Sequence, residues 1–190
     1  MYTLEPGQEK CLHRYRSESF YDWLLIDLWG KMQQSGDMQK TMLGGSQSLL
    51  EFCKALATSE TYLAYDQDGP YLAAWCEPVM CGVSLGFWLR PDKRSSRHIL
   101  TLAHELLQHL FTQYPTIVVI TKDPDVQKFH AHFGFIYACG IPHLYDGEVA
   151  YISFLTRETY QEKYAKGAQT PEDLPPVKAD DPTTRTPIAA

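Results

Sequence analysis

Apolar and polar positions follow two different periods along this chain, and the changes of period mark its elements. In "SESFYDWLLIDLWGKMQQSG", Phe20, Trp23, Leu24, Ile26, Leu28 and Trp29 recur at helical spacing. Ser17 or Ser19 is the expected cap, and Gly30 falls late, where such a helix frays or ends. "GGSQSLLEFCKALATSE" repeats the pattern with Leu49, Leu50, Phe52, Cys53 and Leu56, and Ser46 as its expected cap. The sixteen residues before the first helix read as an extended start plus a loop.

From Thr61 the period shortens. "TYLAY" and "YLAAWCEPVM" flank "DQDGP", whose Asp, Gly and Pro residues suit a turn between two strands. "GVSLGFWLR" adds a third strand, with Val83, Leu85, Phe87 and Leu89 on one face and Ser84, Gly86, Trp88 and Arg90 on the other. Pro91 ends it. A helix then runs to about Tyr114, capped by Ser95 or Ser96, with Leu102, Ala103, Leu106, Leu107, Leu110 and Phe111 as its apolar stripe. "TIVVI" is short and β-branched, as in a strand buried on both faces. Strand, helix and strand in this order predict one βαβ unit.

"DPDVQKFHAHFG" opens with Asp123 as cap and Pro124 at the first helical position, and closes on Gly134. "FIYACGIPHLY", "DGE" and "VAYISFLTR" predict a hairpin, and "ETYQEKYAKG" a last short helix. After Gly167 the chain turns rich in Pro, Asp and Thr. The predicted organisation is one α/β domain over residues 1–167 and a disordered, Pro-rich tail over 168–190.

Composition narrows the class. A chain of 190 residues, 44% hydrophobic, can bury one real core. Its net charge of -6 argues against nucleic-acid binding through a broadly basic surface. The five cysteines are odd in number, irregularly spaced and without a CxxC pair. That pattern fits buried thiols in a reducing cytoplasm better than a disulfide framework. No signal-like apolar segment opens the chain, and no apolar run is long enough to span a bilayer.

Against this acidic background, "RPDKRSSRHI" gathers Arg90, Lys93, Arg94 and Arg97 just ahead of a helix. A helix start offers unpaired N–H groups and partial positive charge, so a phosphate or diphosphate is a natural guest there. A solvated loop whose bases answer neighbouring acids such as Asp92 accounts for the same charges. "HELLQH" does not make a zinc site. His104 and His109 are five apart, about 140° around a helix, whereas the metalloprotease spacing is four. Trp23, Trp29, Trp75 and Trp88 are expected as core or cleft walls.

The order of elements, the basic turn and the capped helix ending in "FGF" together resemble the GCN5-related N-acetyltransferase (GNAT) superfamily, over about Thr61 to Phe154 with the two early helices in place. The resemblance implies a mixed, mostly antiparallel sheet flanked by helices, and acetyl-CoA as co-substrate without a metal. It implies that Arg94, Ser95, Ser96, Arg97, His98 and Ile99 meet the diphosphate of the co-substrate. Amides near Trp88, Leu89 and Arg90 would hold its arm and polarise the thioester. The family's turn reads Arg/Gln-x-x-Gly-x-Gly/Ala. Arg94 matches its first position, while Arg97 and Ile99 stand where glycines belong. In "KFHAHFGF", Phe129, Gly134 and Phe135 match a Leu/Phe-Tyr-x-x-x-Gly-Phe run, with His130 at the position of the tyrosine that protonates the departing thiolate. Imidazole can serve as such an acid. His132 is expected on the far side of that helix, exposed. The third strand holds no carboxylate. Glu77 and Glu148, on the hairpins, are the general-base candidates, and His143 is a candidate cleft residue. The amine is expected to enter between the two early helices and the closing hairpin.

The same residues admit a rival. Altered glycine positions, the missing tyrosine and the absence of an evident base also describe a degenerate member of that superfamily, such as a phage virion or accessory component. Such a protein would dock on a partner through the 168–190 tail and would reside in a virion rather than the cytoplasm.

Overall fold

A computed structural model of the chain describes residues 11–15, 22–38, 48–94, 96–145 and 148–165. Its elements are β1 (His13–Tyr15), α1 (Trp23–Gln34), α2 (Leu49–Thr58), β2 (Glu60–Asp66), β3 (Gly69–Val79), β4 (Gly82–Leu89), α3 (Arg97–Gln113), β5 (Thr116–Thr121), α4 (Pro124–His132), β6 (Ile136–Tyr145), β7 (Glu148–Thr156) and α5 (Arg157–Ala165). The strands form one seven-stranded sheet in the order β1-β2-β3-β4-β5-β7-β6. Every neighbouring pair is antiparallel except β4 and β5, which α3 links as the expected parallel βαβ unit. The predicted fold class, a mostly antiparallel mixed sheet flanked by helices, holds. Residues 166–190, and with them the predicted tail, lie outside the described residues.

Two apolar clusters cover the two faces of the sheet. On one, α1 and α2 press Leu25, Leu28, Met32, Phe52 and Leu56 against Leu63, Ala73, Trp75 and Trp88. On the other, α3 presses Ile99, Leu102, Leu106 and Leu110 against Leu72, Ala74, Leu85 and Leu89. The alternation of β4 explains the division, because odd and even residues of a strand face opposite ways.

Several boundaries differ from those the sequence predicts. Asp22, not Ser17 or Ser19, caps α1, its carboxylate accepting the Leu24 N–H at 2.9 Å. The buried stripe of α1 is Leu25, Leu28 and Met32, and Trp23 and Ile26 are exposed. Gly30 lies within the helix, not at its end. Ser48 caps α2 through the Glu51 N–H; Ser46 lies outside the described residues. β5 is half-buried in strict alternation rather than buried on both faces. Of the cysteines, Cys53 and Cys76 are buried as expected, but Cys11, Cys81 and Cys139 are exposed, and no disulfide joins any of them. Among the described residues no helix is long and apolar enough to cross a membrane.

Candidate active site

The sheet opens at its one parallel pair. β4 and β5 are in register only at Val83–Ile117 and Ser84–Val118. Beyond Ser84, β4 remains paired with β3 on its other edge as far as Leu89, while β5 pairs with β7. The two strands therefore diverge, and a cleft of about 360 Å³ fills the gap. Leu85 to Leu89 form one wall, and Ile120, Thr121 and the α4 residues Phe129 and His130 form the other.

Gly86 shapes the first wall. A Cβ there would stand 2.0 Å from Nε1 of Trp75, so the bare backbone is what allows the Trp75 indole to lie across β4. Trp88 is buried, and its indole N–H donates to Asp37 at 3.2 Å. Asp37 is only 5% exposed and lines the cleft just beyond the turn that ends α1. Gly36, with φ of 70°, makes that turn. Burial works against the charge of Asp37, but hydrogen bonds from Ser35, Arg94 and Trp88 and the charge of Arg94 outweigh it, holding its pKa below the ordinary aspartate value.

The basic turn is more neutralised than its sequence suggests. Arg90 donates to Asp66 at 2.7 Å and to Asp92 at 2.7 Å. Lys93 pairs with Asp66 at 3.0 Å and lies over the Tyr71 ring. Arg94 turns inward, donating to Asp37 at 2.6 Å and to the Leu89 carbonyl at 3.3 Å. Arg97 is exposed at the first helical position of α3, with no hydrogen bond or ion pair to its guanidinium among the described residues. Arg90, expected to offer its amide to the co-substrate arm, instead donates that N–H to the Tyr71 carbonyl at 2.9 Å.

The remaining residues of the turn take up distinct positions. Ser96 caps α3 without a side-chain bond, and Ser95 lies outside the described residues. His98 is half-buried, its Nε2 3.4 Å from the Tyr71 hydroxyl. Ile99, which stands at a glycine position of the resembled motif, is 2% exposed and packs into the core beneath α3. Its side chain therefore leaves the surface of the turn clear. Arg97 points a flexible chain outward at the other glycine position.

His130 faces the cleft from α4. It is 8% exposed, lies among Phe129 and Phe135, and its Nδ1 is buried with no hydrogen-bond partner. Burial pushes its pKa down to about 4. At neutral pH the ring is therefore uncharged, with one nitrogen to donate and one to accept. His132 is not exposed as expected but half-buried, against Phe133 and beside α5, where the Tyr164 hydroxyl donates to its carbonyl. Glu77 accepts a hydrogen bond from Ser59 at 3.2 Å on the exposed hairpin, and Glu148 is exposed. Neither lines the cleft. Among the described residues, the acids that do are Asp37 and Asp123. The side chain of His143 lies outside the described residues. His104 accepts or donates at Tyr160 and His109 packs on Tyr62, so the two histidines of "HELLQH" face different neighbours.

Comparison with solved structures matches this arrangement to one group of folds. The spermidine N-acetyltransferase of Vibrio cholerae, solved in complex with CoA and spermine, superposes with a TM-score of 0.62 at 10% identity, over 79% of this chain and 96% of that one. The ribosomal-protein-S18-alanine N-acetyltransferase of Escherichia coli matches with a TM-score of 0.59 at 15% identity, over 77% and 92%. An aminoglycoside N(6')-acetyltransferase of Legionella pneumophila matches at 0.62 and 11%, over 80% and 95%.

The chain has the GNAT acetyltransferase fold. No family model and no curated protein sequence matches it, so the likeness rests on three-dimensional shape. The parted parallel strands, Arg94 of the basic turn and His130 line one cleft. Sequence reading named His130, which lines the cleft, and did not name Asp37, which lines it too. The only trace of Asp37 is "SGD" after the first helical run, a Gly-led turn followed by a carboxylate.

Proposed function

We infer that the protein is an acyl-CoA-dependent N-acyltransferase, moving an acetyl group from acetyl-CoA to an amine. The parting of β4 from β5 after two residue pairs carries this reading, because it leaves the β4 edge beyond Ser84 without a ladder partner beside a cleft that holds an uncharged histidine. Acetyl-CoA supplies an activated acyl carbon and a thiolate leaving group: the amine nitrogen bonds to that carbon, the C–S bond breaks, and one proton passes from nitrogen to sulfur.

The residues of the chain fit these tasks. Peptide groups near Trp88 and Leu89, backed by the β3 ladder, hold the thioester carbonyl where negative charge develops. The first amides of α3, at Arg97 and His98, together with the Arg97 and Arg94 guanidiniums, receive the diphosphate. Ile99 lies in the core, so no side chain from that position fills the hollow. His130 takes the proton from nitrogen on one ring atom and returns one to sulfur from the other. A ring held neutral by burial can do both. Apolar walls exclude water that would hydrolyse the thioester.

The test is amine-dependent thiol release. Acetyl-CoA is incubated with spermine, an aminoglycoside and an alanine-terminated peptide, and free CoA is measured beside the mass of each amine. The reading predicts acetylated product with at least one acceptor, reduced by His130→Phe. Binding of acetyl-CoA with no turnover for any amine would favour the second reading, a GNAT-fold interaction protein without catalysis. That reading is favoured by the pairing of Arg90, Lys93 and Arg94 with Asp66, Asp92 and Asp37. It predicts a partner, captured through residues 168–190 and lost on their deletion.

A further inference from the structure

Behind the main cleft lies a smaller cavity of about 40 Å³. Leu72 of β3, Leu102, Ala103 and Leu106 of α3, and Phe133 close it, and every lining residue except His130 is apolar. A water needs roughly 10–15 Å³ of such room, so the cavity has space for about three water-sized groups. Water finds almost no hydrogen-bond partner there, and an unfilled apolar hollow forfeits packing contacts. A short hydrocarbon is the guest that such walls favour.

The position of the cavity says where that hydrocarbon comes from. Leu85, Phe87, Phe129 and His130 border both the cavity and the main cleft. Leu85, Phe87 and Leu89 leave β4 on the face that packs against α3, the side on which the cavity lies. Phe87 is next in sequence to Trp88, and peptide groups near Trp88 and Leu89 hold the thioester carbonyl in the acyltransferase reading. The shared border thus begins one residue from the point where an acyl chain would leave its carbonyl. Phe129, on the opposite side of the border, is half-buried and meets Phe87, His130 and Phe133 through ring contacts. Turning its ring to admit a chain strands no polar group.

We propose that this cavity receives the end of the acyl chain of the co-substrate, and that the preferred donor is a butyryl-length acyl-CoA rather than acetyl-CoA. The inference rests on the acyltransferase reading and specifies its acyl donor. The transfer itself is unchanged: the amine nitrogen bonds to the acyl carbon, the C–S bond breaks, and one proton passes from nitrogen to sulfur. Only the chain beyond the carbonyl is longer, and the methylenes added to it are buried among Leu102, Leu106 and Val119.

Isothermal titration of the full-length protein with CoA, acetyl-CoA, butyryl-CoA and octanoyl-CoA tests this. Butyryl-CoA, which adds two methylenes, is expected to bind about tenfold tighter than acetyl-CoA. Octanoyl-CoA, too long for the space, is expected to gain nothing further. Ala103→Leu fills the cavity from a residue that does not line the main cleft. It is expected to leave acetyl-CoA binding unchanged and to remove the butyryl advantage. If that variant shows no cooperative thermal unfolding, Ala103→Val makes the same test with a smaller side chain. Equal affinity for acetyl-CoA and butyryl-CoA, a gain that continues to octanoyl-CoA, or a butyryl advantage that survives filling of the cavity overturns the proposal and leaves the acyltransferase reading standing. Absence of binding by CoA and by every acyl-CoA overturns both.

Discussion

Phe87 on β4 and Phe129 on α4 stack in near-parallel planes, their centroids 5.9 Å apart and their planes 12° from parallel. Both line the main cleft, and both also line a second cavity of about 40 Å³ among Leu102, Leu106, Val119 and Phe133. The pair is thus the wall between the cleft and the core. It ties α4 to the strand that has lost its ladder partner, a mechanical need created by the opening of the sheet.

Removing that wall merges the two spaces. Phe129→Ala is expected to cost about 2–4 kcal/mol, toward the lower end for a buried Phe→Ala change because Phe129 is only half-buried. Phe129→Leu, which keeps most of the volume, is expected to cost less than half as much. Urea unfolding of the two variants checks the ratio.

Gly86→Ala tests how the cleft wall is built. The added methyl would collide with the Trp75 indole, and overpacking of this kind costs about 1–3 kcal/mol. Trp75 must rotate away, so the expected readout is a loss of stability together with a shift of tryptophan emission. The same substitution at the open position Gly30 is expected to stabilise helix α1 slightly, by about 1 kcal/mol.

Acid stability carries the signature of His130. Its folded pKa is about 4, below the ordinary histidine value of 6.5. Between those values the unfolded chain binds the proton and the folded one does not, so stability falls as pH drops from about 6.5 to 4. The full effect is about 3 kcal/mol. His104 and His132, also depressed by burial, act in the same direction. Asp37, Asp66 and Asp92 extend the loss below pH 3.8, because their folded pKa values are lowered and the unfolded carboxyls protonate first. His130→Gln is expected to flatten the upper part of the profile, as measured by urea unfolding at a series of pH values.

Catalysis gives the same residue a different test. Loss of a positioned proton relay costs about 10²–10⁴-fold in rate. His130→Gln is therefore expected to lower kcat by about that factor while leaving the affinity for CoA nearly unchanged. A parallel fall in affinity would assign His130 to binding instead.

How much of this could be read from the sequence depends on the range over which each feature is determined. Strand alternation in "GVSLGFWLR" and the apolar stripe of α3 are local, and both were legible. The cap of α1 was not, because "SESFYD" offers three capping residues and only packing chooses Asp22. The turn "RPDKRSSRHI" was found by its charge, but its neutralisation was invisible. Asp66 lies 24 residues before Arg90, and Asp37 lies 57 before Arg94. Those pairings exist only once β2, β4 and the end of α1 meet. His130 was named for its place in a motif, whereas its depressed pKa comes from burial that no local pattern encodes.

The central claim is that the gap between β4 and β5 is a CoA site. Isothermal titration of the full-length protein with acetyl-CoA tests it most directly. The account predicts saturable binding of one acetyl-CoA per chain, weakened by substitution of Arg97, the exposed guanidinium at the start of α3. Absence of binding at millimolar acetyl-CoA would contradict it.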